Sequence, residues 1–193
     1  MDASQQQHPS TLYAILDELG LGFIFHINEQ EPDFELSRGS NETKWIVLSS
    51  CFFGVPGIWY LTEYLQEDAS QHQLQPINIF SAMLILTSLI SANYWRDAKR
   101  GWRRNADLIM AKITFSTGLY YSVQYIINPP IFIAIFSSCP FLLFFYIQSS
   151  RLISQNNRDW VKYHFAFHIL LAVGGALVLR GIETNINKCI EQI

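Results

Sequence analysis

Charge is what this sequence has least of. Only 15% of its 193 residues are Asp, Glu, Lys or Arg, against about a quarter in soluble domains. Those charges crowd into 17–44, 63–68, 96–107, 151–162 and the last residues, which leaves long stretches almost free of them. Cysteine is scarce too: Cys51 and Cys139 sit within apolar runs and Cys189 lies near the end. No disulfide framework or Cys-based zinc spacing can be built from them. The first ten residues are polar, without a basic stretch leading into an apolar core, so no secretory signal is expected. A formal net charge of -3 gives no ground for a nucleic-acid partner. Internal repeats and low-complexity tracts are missing as well.

What is present in excess is hydrophobic sequence, half of all residues. A helix needs about 20 largely apolar residues to cross a bilayer, because inside hydrocarbon the backbone must satisfy its own polar groups. Trp45–Thr62 has no charge over 18 residues, with Pro56-Gly57 as an expected kink near its far end. Ile77–Trp95 has none over 19 and follows Pro76, a helix-start signal. Ile113–Ile127 is extended by Ala106–Lys112, with the Lys112 stem able to carry its ammonium toward the surface. Ile131–Ser150 is free of charge over 20 residues, and Tyr163–Leu179 is apolar except for His164 and His168. Pro129-Pro130 separates the third and fourth segments. The expected fold is therefore all-α, a polytopic transmembrane bundle of about five spanning helices. It divides into an N-terminal cytoplasmic segment 1–43, a membrane domain 44–180 and a tail 181–193.

Loop charge sets the expected orientation. Loop 96–106 holds Arg96, Lys99, Arg100, Arg103 and Arg104, and loop 151–162 holds Arg151, Arg158 and Lys162, whereas 63–76 is acidic. Basic loops stay on the cytoplasmic side. Five crossings then place the N-terminus in the cytoplasm and the C-terminus opposite. Trp45, Trp95, Trp102 and Trp160 fall at or near span ends, where interfacial anchors are expected. Thr11–Ile27 reads as an interfacial helix or a short extra span. The sequon Asn41-Glu42-Thr43 abuts the first span on the cytoplasmic side and reads as a chance match.

Ionisable groups within such a bundle are costly and so become candidates for function. His164 and His168 put two imidazoles one turn apart on a single helix face. That spacing suits two ligands to one metal, most often zinc. It equally suits two packed, hydrogen-bonded side chains. Thr87, Ser91 and Trp95 form a stripe at i, i+4 and i+8, and Asp107 opens the third span. In the expected topology Ser91, Asp107, His164 and His168 all lie near one membrane face. Ser91 bonding within its own helix, and Asp107 capping its helix or pairing with arginines, are the structural alternatives.

Ser91-Ala-Asn-Tyr-Trp95, Asp107 and His164-Phe-Ala-Phe-His168 together resemble the CREST superfamily of membrane proteins. That group includes alkaline ceramidases, progestin and adipoQ receptors and Per1-like proteins. The resemblance implies a zinc site for lipid-amide hydrolysis, with His164 and His168 as metal ligands and Ser91 and Asp107 in catalytic roles. Two departures qualify it. Trp95 stands where the family pattern has its first histidine, and this chain has about five spans where known members have seven. His164, His168 and Asp107 could make a substitute three-ligand set; His26 is a remote candidate, and His72 lies on the opposite side.

The loop from Arg96 to Arg104, with Trp102 among its arginines, could hold an anionic lipid headgroup. The same composition is also what retains any cytoplasmic loop. Three functions follow: a non-catalytic or degenerate CREST-like membrane protein, a zinc-dependent lipid-amide hydrolase, and a small carrier or channel. The first leads because the ligand set is incomplete. The bilayer is the partner expected throughout, and an oligomer or another membrane protein stays open.

Overall fold

The computed structural model describes residues 41–64, 75–98, 102–155 and 157–191. Thr11–Ile27, His26 and His72 lie outside these residues, as does Lys99-Arg100-Gly101 of the basic loop. The described chain is helical, with no strand among the described residues: α1 Asn41–Cys51, α2 Gly54–Tyr64, α3 Gln75–Trp95, α4 Trp102–Tyr125, α5 Pro129–Ser154 and α6 Trp160–Glu191. Four units are long and apolar enough to cross a membrane: Asn41–Glu63 (α1 with α2), Pro76–Trp95, Pro129–Ile153 and Trp160–Cys189. This is the all-α membrane bundle expected from the sequence. The same helix that carries the histidines also carries residues 181–191 of the tail.

The first unit is broken, and not where the sequence suggests. The kink is expected at Pro56-Gly57, near the far end; the helix instead interrupts at Phe52-Phe53, close to its middle. Proline explains the offset. The ring of Pro56 obstructs the carbonyl four residues back, and Pro56 has no N–H to give it. The carbonyl in question is that of Phe52, which accepts instead from Val55 N at 3.3 Å. The turn is closed on its other side by Phe52 N to Ser49 O at 3.1 Å.

Helices in hydrocarbon gain little from excluding water from one another, so close approach and interhelical hydrogen bonds must supply the association. Glycine notches provide the approach. A Cβ at Gly57 would stand 2.6 Å from the Ser81 carbonyl oxygen, so α2 and α3 are nearly backbone to backbone there. Gly118 receives Phe80, Gly175 receives Leu84, and a Cβ at Gly181 would meet Ile126 at 2.6 Å. Around these notches Ile77, Phe80, Leu84, Ile126, Ile135, Val178, Leu179, Ile182 and Ile186 form a hydrophobic core.

α4 is more polar than its neighbours, yet it follows α3 in antiparallel register. Ser91 lies close to Asp107, Thr87 Oγ1 pairs with Thr114 Oγ1 at 2.7 Å, and Phe80 packs on Gly118 and Tyr121. α5 lies mainly against α6 and meets α4 little. The tryptophans divide. Trp45 and Trp102 are exposed, at 56% and 75%, as anchors should be. Trp95 and Trp160 are both only 5% exposed and stack on each other with ring centroids 5.7 Å apart. For these two the interfacial expectation is corrected: they are core residues, drawn inward by each other and by His164.

Candidate functional site

A second core cluster of Ile46, Tyr94, Trp95, Ala98 and Trp160 occupies the half of the bundle nearer the basic loops. Beside it, between the two cores, lie the polar residues that the sequence singles out. His164 and His168 face inward from α6, 8% and 3% exposed, with ring centroids 4.4 Å apart. Their helical spacing accounts for the shared face; what holds each ring comes from other helices.

His168 Nδ1 is 2.7 Å from Ser49 Oγ on α1. The Ser49 hydroxyl donates its single hydrogen to the Ile46 carbonyl at 2.9 Å. With that hydrogen on the carbonyl, the hydroxyl accepts from His168, an arrangement that takes the Nδ1–H tautomer and puts the lone pair on Nε2. Phe53, at the break between α1 and α2, presses on the same ring with centroids 4.6 Å apart. His164 Nδ1 pairs with Ser149 Oγ of α5 at 3.1 Å, and Trp95 lies against its ring at 4.6 Å. His164 Nε2 and Trp95 Nε1 are both buried without a hydrogen-bond partner among the described residues. Interiors rarely leave polar atoms in this state.

Ser91 is 2% exposed, and its Oγ lies 3.2 Å from Ser50 Oγ. Ser50 in turn donates to the Ile46 carbonyl at 2.9 Å, so that one oxygen receives both neighbouring serines. On its other side Ser91 lies close to the Asp107 carboxyl. In the nearby loop Asp97 takes an arginine, 3.6 Å from Arg103. Two polar groups result, His164 with His168 and Ser91 with Asp107, and the adjacent serines of α1 join them. Among the described residues no three His, Cys, Asp or Glu side chains converge as a metal-holding set.

Four contributors were not singled out by the sequence reading: Ser49, Ser50, Phe53 and Ser149. The two α1 serines had a readable signal. Ser49-Ser50 is the most polar point of its charge-free run, and it stands one to two turns before a proline that must free a carbonyl. Ser149 has none, since serines are common in spanning helices and its neighbour Ser150 is not buried.

Comparison with known proteins gives no match: no family model fits the chain, and no curated protein or solved structure is significantly similar to it.

Proposed function

We propose that this is a non-catalytic membrane protein, a structural or assembly component related to CREST-type bundles, whose histidine pair has become part of the packing. In this reading α4 crosses the bilayer with the four apolar units. Its 24 residues reach about 36 Å at 1.5 Å each, and its contacts with α3 run from Asp107 to Tyr121. With five crossings, the basic loops put the N-terminus in the cytoplasm and the C-terminus opposite.

One observation carries the proposal. Trp95 stands where the family pattern has a histidine, and its indole is buried against His164. Indole nitrogen has no lone pair to give a metal, so the ring adds volume and no ligand. Catalytic zinc normally takes three protein ligands and an open position for water. Here the imidazoles supply two.

The hydrolase reading keeps one specific point in its favour. Metal-bound histidines usually donate the far ring N–H to an oriented acceptor. The 2.7 Å contact of His168 Nδ1 with Ser49 Oγ suits that arrangement, with Nε2 as the ligating nitrogen in the Nδ1–H tautomer. Elemental analysis of purified wild type and His168→Ala decides between the readings. The proposal expects no stoichiometric zinc in either. One zinc per chain in wild type, lost in His168→Ala, would overturn it in favour of the hydrolase.

A further inference from the structure

The exposed faces of α4 and α5 differ at matching depth. The two helices run antiparallel from the turn at Ile126–Asn128, so the residues just before it on α4 lie level with those just after it on α5. There α5 presents Ile133 and Phe136, 64% and 37% exposed, which suit lipid tails, and one exposed hydroxyl, Ser137, that bonds back to its own helix at the Ala134 carbonyl. α4 presents Ser116, Tyr120 and Gln124, all exposed. These follow i, i+4 spacing and so form one row. Residues two apart on a helix lie about 200° around it, which sets this row opposite the packed row of Thr114, Gly118 and Ser122. Lys112 continues the row toward the basic loop, where its stem can carry the ammonium to the headgroups. α4 is also the only long helix among the described residues that fails the composition expected of a span.

We propose that this face is the contact surface for a second copy of the chain, α4 against α4, an inference that rests on α4 crossing the membrane. Hydroxyl and amide groups gain nothing from lipid tails and associate across helices by hydrogen bonding. A second copy is favoured because a two-fold contact brings each residue near its own equivalent. Ser, Tyr and Gln each both donate and accept, so each can pair with itself. A different partner would have to carry a matching polar row. Between the polar positions, Ile113 and Val123, 47% and 62% exposed, supply apolar packing.

The test uses the full chain in lipid vesicles, with Cys51, Cys139 and Cys189 changed to Ser. Single cysteines are placed by Ser116→Cys, Tyr120→Cys and Gln124→Cys on α4, with Ile133→Cys on α5 for comparison, and oxidised with copper phenanthroline. Disulfide-linked dimers should form at least tenfold faster at the three α4 positions. Adding Ser116→Leu and Gln124→Leu to the Tyr120→Cys chain should cut its crosslinking by tenfold or more at unchanged helix content. Equal rates on α4 and α5, or no response to the leucines, would overturn the dimer. Labelling of Tyr120→Cys by a membrane-impermeant maleimide separates the two claims. Protection without crosslinking would leave the span standing and refute the dimer; rapid labelling would remove the span and the proposal with it.

Discussion

The two halves of this bundle solve the same problem with different chemistry. Near the acidic loop, α2, α3, α4 and α6 meet through glycine notches filled by Phe80, Leu84 and Ile126, and the buried cluster there is apolar, mostly isoleucine and leucine with Phe80. Near the basic loops the helices meet through hydroxyls, imidazoles and indoles: Ser49 with His168, Ser149 with His164, Ser50 with Ser91, and Trp95 with Trp160. The first half depends on shape, and each notch fits one neighbour. The second depends on partners, and each polar atom needs a particular one. Buried polar groups are costly in a membrane bundle, so the polar half holds the candidates for function.

The difference predicts unequal sensitivity. Gly57→Val should have the largest effect, because the added Cβ meets backbone rather than a movable side chain. Overpacking of this kind typically costs about 1–3 kcal/mol and more where backbone blocks relaxation, and reversible unfolding in mixed micelles would measure it. A loss below about 1 kcal/mol would mean that the notch half is looser than the fold implies. His168→Ala should follow, at about 1–2 kcal/mol, since it removes a hydrogen bond and the contact with Phe53. Pairing it with Ser49→Ala in a double-mutant cycle should give a coupling of about 0.6–1.5 kcal/mol. No coupling would mean that the ring is held by packing alone. Thr87→Val should be smallest, about 0.6 kcal/mol, because Thr87 also bonds to its own helix at Met83. If Thr87→Val exceeded Gly57→Val, the contrast between the halves would be reversed.

The sequence makes the apolar half legible in outline, because charge-free length is all that a spanning helix requires. It misplaces details that depend on neighbours. The break in the first span sits at Phe52-Phe53 because proline acts four residues back, a local rule that the kink at Pro56-Gly57 overlooks. Trp95 and Trp160 lie near span ends like anchors, and only the rotation of α3 and α6 turns them inward. For the site, the shared face of His164 and His168 follows from spacing, and the placing of Ser91 and Asp107 near the same membrane face follows from the expected topology. The α1 serines that link to both pairs come from a helix that contributes nothing to the family pattern.

The central claim is that Trp95 fills the place of a third metal ligand, and Trp95→His tests it most directly. The substitution puts an imidazole one turn from Ser91 and against His164, where the indole now lies. Zinc measured on the purified variant beside wild type should show one ion per chain in Trp95→His and none in wild type. No zinc in Trp95→His, in a protein that keeps its helix content, would contradict the claim: the two histidines would then be packing residues on a scaffold that never held a metal.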